Sequence, residues 1–186
     1  MFTVNVKVKN TNPNGYKELK KRLEKISRKR VVAGFPKGKL NNPHYTPKRD
    51  KNYIPKNEKP GPSIIDVAIW NNYGIGVPRR NFMTPAALEW QKYFELMVEM
   101  SQNEIVTGTI NVDNFLNAMG EKGAEFIREA IVKLDTPENA PITIEGGWMA
   151  KNGKTFKVIG KKSSNPLVDS GDLSKAPTYK IRIKNK

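Results

Sequence analysis

Between residues 37 and 62 the chain carries five prolines (Pro43, Pro47, Pro55, Pro60 and Pro62) among scattered lysines and arginines, with no apolar periodicity. Proline lacks the backbone donor that a helix interior or a central strand needs, and without recurring apolar positions the stretch has no face to bury. It is expected to run as a long extended loop. A core therefore has to come from the short segment before it and the longer one after it. The chain's 186 residues suit one domain spanning 1–186.

The segment before the loop opens with alternation: Phe2, Val4, Val6 and Val8 are apolar, and Thr3, Asn5, Lys7 and Lys9 polar. That is the period of a half-buried strand. Over residues 16–30, Tyr16, Leu19, Leu23 and Ile26 recur at helical spacing with Lys and Arg between them, which predicts an amphipathic helix. Residues 31–35 (VVAGF) read as a short strand ended by Pro36 and Gly38.

After the loop, Ser63 is a good N-cap for a helix through Ile64, Ile65, Val67, Ala68, Ile69 and Trp70, stopping at Asn71-Asn72-Tyr73-Gly74. Pro78 keeps residues 77–82 extended, and Thr84 and Pro85 open a long helix reaching about residue 107. Residues 112–134 predict a further helix from Phe115, Leu116, Met119, Phe126, Ile127, Ala130, Ile131 and Leu134. Gly120 and Gly123 weaken that helix by about 1 kcal/mol each, a cost that a close neighbour can offset. Asn152-Gly153 marks a hairpin within 148–159, residues 165–173 read as a turn, and 178–184 (TYKIRIK) as a closing strand. The expected class is α+β: a small, mostly antiparallel sheet of the N-terminal, Val31 and C-terminal strands, packed with three to four helices, plus the extended loop.

Missing residue types limit the chemistry. With no cysteine there is no disulfide and no thiolate metal site, and His44 alone cannot build a histidine-rich one. Gly153-Lys154-Thr155 hints at a phosphate-binding loop, but Trp148 stands where the first glycine belongs and a strand follows instead of a helix. Asp169 and Asp172 flank a Ser-Gly turn in a basic tail and read as turn and cap residues. No apolar run is long enough to span a bilayer, and residues 1–10 lack the apolar block of a signal peptide. The expectation is a protein without catalytic residues, cofactor, metal or membrane partner, acting in the compartment where it is made.

Charge is distributed unevenly. Residues 1–60 hold 17 Lys/Arg against 4 Asp/Glu, residues 61–150 hold 6 against 12, and residues 151–186 hold 10 against 2. An acidic middle between basic ends suits copies of one protein docking on each other, or a nucleic-acid partner. The densest basic group is Lys20, Lys21, Arg22, Lys25, Arg28, Lys29 and Arg30, to which the loop adds Lys48 and Arg49. Such a surface attracts phosphates without reading sequence, or meets an acidic protein face; the sequence leaves both open.

The stretch from Ser63 to Pro85 resembles one found in the tail-completion or neck proteins of long-tailed bacteriophages, also grouped as head-tail joining or virion morphogenesis proteins. In that family a helix reading Val-Ala-x-x-Asn-Glu-Phe-Gly is followed by Ile-Pro-x-Arg-Pro-Phe and a helix opening near Pro-Ala. Val67, Ala68, Asn71, Tyr73, Gly74, Val77, Pro78, Arg80, Phe82, Pro85 and Ala86 fall on that pattern, while Asn72 and Asn81 replace its Glu and second Pro. Shorter likenesses follow the family's order: VVAG at 31–34, NAPITI at 139–144 and PLVDSGDL at 166–173.

The resemblance implies a structural virion protein, made in the host cytoplasm, that assembles as a ring, commonly a hexamer. Its partners would be its own copies, the head connector or adaptor, and the tail terminator or tail tube, with DNA passing through the channel. On this reading Val77, Pro78, Arg79, Arg80 and Phe82 form a stiff arm for a neighbouring subunit, although Phe82 is equally suited to closing the chain's own core.

Overall fold

The computed structural model describes residues 13–36, 62–161, 163–168 and 171–183. The expected N-terminal strand, nearly all of the proline-rich loop, Lys48, Arg49 and Asp169 lie outside them. The described residues form an α+β structure in the order α1 (Pro13–Ser27), β1 (Lys29–Gly34), α2 (Ile64–Tyr73), α3 (Met83–Met100), α4 (Gln102–Thr107), α5 (Val112–Lys133), α6 (Pro141–Glu145), β2 (Gly146–Lys151), β3 (Lys154–Ile159), α7 (Asp172–Lys175) and β4 (Thr178–Ile183).

Strands β1 and β4 pair antiparallel, with Val31 opposite Ile181 and Ala33 opposite Tyr179. The expected central sheet is thus a two-stranded ribbon among the described residues, and β2 and β3 make a second one. Two strands are marginal alone in water. The first ribbon gains its stability from α5, which packs against both of its strands and, on another side, against α3. Fully buried Met119 and Ile131 run along α5, and Ile127 joins Ile64, Ala68, Phe82, Ala86, Leu167 and Leu173 in the main core.

The two glycines of α5 are where neighbours come closest. A Cβ on Gly120 would lie 2.2 Å from the Tyr179 ring, and one on Gly123 would lie 2.5 Å from the Trp90 ring. Tyr179 on β4 then reaches Asn117 through its hydroxyl at 3.2 Å, and Trp90 on α3 donates its indole N–H to the Met119 carbonyl at 2.8 Å. The helix gives up propensity at both positions and gains two ring contacts.

Helix ends follow local chemistry. Ser63 and Asp66 form a reciprocal capping box at the start of α2, with Asp66 N–H donating to Ser63 Oγ at 3.2 Å and Ser63 N–H donating to Asp66 Oδ2 at 2.9 Å. Helix α1 stops at Ser27, earlier than expected, where Ser27 Oγ donates to the Glu24 carbonyl at 2.9 Å. Lys29 and Arg30 consequently belong to β1. The single helix expected to reach residue 107 breaks at Ser101, whose backbone (φ −90°, ψ 4°) leaves the helical region. The bend brings the end of α4 to α1, where Arg22 Nη1 donates to the Val106 carbonyl at 3.0 Å. Helix α3 also begins one residue before Thr84. Its first free donors, Met83 N–H and Thr84 N–H, are taken by Asn72 Oδ1 at 3.1 Å and Asn81 Oδ1 at 3.2 Å. Asn72 and Asn81 are the positions where the resembled pattern has Glu and its second Pro.

Candidate interaction surface

Helix α2 ends on Gly74, whose φ of +77° lies in the left-handed region. A side chain there would be strained, and its Cβ would sit 2.9 Å from Arg79 Cβ. The tight turn lets Arg80 N–H return to the Asn71 carbonyl at 2.6 Å, and this closure sends the Arg80 side chain inward.

Arg80 is 7% exposed and clamps three parts of the chain. Its Nη1 donates to Asn71 Oδ1 at 3.1 Å, its Nε to the Pro137 carbonyl at 3.2 Å, and its Nη2 to the Glu138 carbonyl at 3.4 Å and Asn139 Oδ1 at 3.2 Å. Asn139 passes the connection on, donating from Nδ2 to the Ser164 and Asn165 carbonyls at 3.3 and 3.2 Å. Burial pulls the Arg80 guanidinium below its ordinary pKa, but a guanidinium remains charged at neutral pH. Two residues on, Phe82 is 1% exposed and meets Phe35 edge-on at 6.1 Å between ring centroids.

The expected outward arm is therefore corrected. Arg80 and Phe82 face into the domain, because the planar guanidinium finds backbone carbonyls and an aromatic ring of this size belongs in the core. Val77, Pro78 and Arg79 remain exposed. Beside them on the surface stand Ile69, Trp70, Tyr73 and Ile75, giving an apolar rim around the Gly74 turn. Sequence reasoning missed the partners of Arg80. Asn139 was legible as the first residue of the NAPITI likeness, but nothing in the sequence ties it to Arg80.

The basic group is divided by the fold. Arg22 is engaged with Val106 and with Glu18 at 3.5 Å, and Lys29 forms an ion pair with Asp113 that holds the Asp113 carboxyl below the usual range. Both are structural ties between the N-terminal elements and the α4–α5 region. Lys20, Lys21, Lys25, Arg28 and Arg30 stay exposed. On the sheet face away from α5, Arg30 stands directly opposite Arg182, and Val32 opposite Lys180. Like charges directly opposed in a sheet repel, so this face favours an anionic neighbour.

An apolar cavity of about 590 Å³ opens between α1, β1, α3 and the start of α5, walled by Leu23, Ile26, Val31, Trp90, Phe94 and Leu116. Among the described residues that line it there is no carboxylate or histidine for acid-base work. Among the described residues no group of three His, Cys, Asp or Glu side chains is placed to hold a metal ion, and no helix is long and apolar enough to cross a membrane. Comparison of the chain with protein-family models, with curated proteins and with solved structures found no match.

Proposed function

We propose that this chain is a structural protein of the head-tail junction of a long-tailed bacteriophage, forming a ring that joins the head connector to the tail tube. One observation carries the reading beyond sequence likeness. The separate segments that resemble the neck family meet at one node. Arg80, from the central segment, is bonded to Asn139 of NAPITI. Leu167 and Leu173 of PLVDSGDL share a core with Ala68 and Phe82, against which Ala33 of VVAG also packs. Short likenesses scattered over some 140 residues of sequence would meet this way if they marked one shared fold. The exposed rim of Ile69, Trp70, Tyr73, Ile75 and Val77 is an apolar patch of the kind that marks a subunit contact. Sedimentation of the purified chain over a range of concentrations, alone and with isolated connectors or tail tubes, tests the proposal. Rings, or binding to either particle, are expected.

A second reading, sequence-nonspecific nucleic-acid binding, is favoured by the opposed Arg30 and Arg182 with Lys180 and the exposed cations of α1. It requires duplex DNA binding by the single chain with a steep salt dependence. Reversing Arg30 and Arg182 to Glu would then weaken binding to all sequences alike.

A further inference from the structure

Among the described residues, the hairpin of β2 and β3 leaves large apolar side chains exposed on both faces. Directly paired residues share a face, so Trp148 with Lys157 and Ala150 with Thr155 point one way, and Met149 with Phe156 the other. Trp148 is 72% exposed and Ile159, its diagonal neighbour on the same face, 89%. Met149 and Phe156 are also exposed. Among the described elements the ribbon packs mainly on the short helix α6, while α3 packs on α5 and α4. An isolated two-stranded ribbon with apolar side chains on both faces is marginal in water, and a tryptophan left in solvent is what interfaces use as an anchor.

The base of the ribbon is fixed. A Cβ on Gly160 would come within 2.4 Å of the Ile144 carbonyl oxygen, and one on Gly146 within 2.7 Å of the Val158 carbonyl oxygen. At the tip, Asn152 (φ 54°) and Gly153 (φ 71°) make the left-handed pair of a two-residue turn. The ribbon is therefore anchored at its base and closed by a defined turn at its tip.

A second uncovered surface complements it. The outward stripe of α3 carries Leu88, Glu95, Leu96, Glu99 and Met100, at helical spacing opposite Ala86, Trp90 and Met97. Leu88, Leu96 and Met100 are each more than half exposed. Neither Glu99 nor Glu104 of α4 forms an ion pair with any described residue, and the same holds for Lys154 and Lys157 of the hairpin. The hairpin carries three lysines and no acid, while α3 and α4 together carry four glutamates and one lysine. The dimensions agree: six strand residues reach about 20 Å, and the stripe from Leu88 to Met100 is about 18 Å long.

We infer that the β2–β3 arm of one copy docks on the outward face of α3 in the next, with Trp148 and Ile159 against Leu88, Leu96 and Met100, and Lys157, on the Trp148 face, toward Glu95 and Glu99. The two surfaces are different parts of one molecule, so the contact is head-to-tail, which generates a ring when its rotation closes. This rests on the ring reading above and names the contact that would build it.

Because the chain has no cysteine, introduced ones report cleanly. One preparation carries Thr155→Cys, on the Trp148 face, and another carries Glu99→Cys. Mixed under mild oxidation, they are expected to form a disulfide between chains, which Thr155→Cys mixed with Lys20→Cys does not form. In sedimentation, Trp148→Ser/Ile159→Ser is expected to weaken self-association by at least about tenfold while its urea midpoint stays unchanged. Lys157→Glu should weaken it too, and adding Glu95→Lys/Glu99→Lys in the same chain should restore it. Rings that form without the selective cross-link, or that ignore the Trp148 variant, overturn the arm and leave the ring reading standing. A wild-type chain that stays monomeric at all concentrations and cross-links no better than the control overturns the arm contact. Loss of connector or tail binding by the Trp148 variant, with self-association intact, would assign the arm to another protein and likewise overturn the contact between copies.

Discussion

Arg80 Nη2 donates to Asn139 Oδ1 at 3.2 Å, joining residues 59 positions apart in sequence. The bond belongs to a fan in which one buried guanidinium also serves Asn71 and the carbonyls of Pro137 and Glu138. Removing the hub leaves several acceptors without a donor. Arg80→Met is expected to destabilise the fold by about 2–4 kcal/mol in urea unfolding, and Arg80→Lys should recover little, because one ammonium cannot span the fork. A loss below about 0.5 kcal/mol would mean that Arg80 is not a clamp.

The division of the central segment into inward and outward residues makes opposite predictions for neighbours in sequence. Phe82→Ala should cost about 3–5 kcal/mol, as expected for an aromatic ring removed from a core. Val77→Ser and Arg79→Ala, at exposed positions, should each change stability by less than about 0.5 kcal/mol. If the rim serves a subunit contact, the two exposed changes should weaken assembly without altering the urea midpoint.

Gly120→Ala and Gly123→Ala test the close approaches on α5. Helix propensity alone favours alanine by about 1 kcal/mol at each site. The new methyl groups would collide with the Tyr179 and Trp90 rings, however, so both variants are expected to be less stable by about 1–3 kcal/mol. For Gly123→Ala the Trp90 fluorescence should shift as the ring moves. A gain in thermal midpoint would show that the rings do not sit against the helix.

Acid should destabilise the protein through three carboxylates. Hydrogen bonds from Ser63 hold Asp66 below its ordinary value of 3.8, the Lys29 partner does the same for Asp113, and Lys133 holds Glu129 below 4.5. The folded chain thus binds fewer protons than the unfolded one in this range. The stabilisation is complete above the unfolded values and is lost as pH falls below them through the folded values. The urea midpoint should therefore decline as pH drops from about 5 to 3, and Asp113→Asn should flatten part of that decline. An unchanged midpoint across this interval would contradict the assignment.

Much of this fold is legible in the sequence because local chemistry decides it. Ser63 with Asp66 caps α2, Gly74 ends it, and Asn152-Gly153 turns the hairpin, each within a few residues of its own partners. The helical spacing of Phe115 through Ile131 places α5 correctly for the same reason. What sequence does not reveal is set by distant partners. Arg79 and Arg80 are adjacent and chemically alike, and only the Asn71 turn with the carbonyls of residues 137 and 138 sends one outward and the other inward. Lys29 and Lys25 look equivalent on paper, yet α1 ends between them and β1, opening at Lys29, carries that residue to Asp113. The exposure of Trp148 was equally hidden, since an apolar residue in a hairpin normally predicts a covered face.

The ring is tested most directly by incubating the purified chain with isolated tail tubes and with connector-bearing heads, then weighing and imaging what forms. The proposal predicts a closed ring of identical copies seated at the tube end or on the connector. A chain that remains a monomer at every concentration and binds neither particle would contradict it.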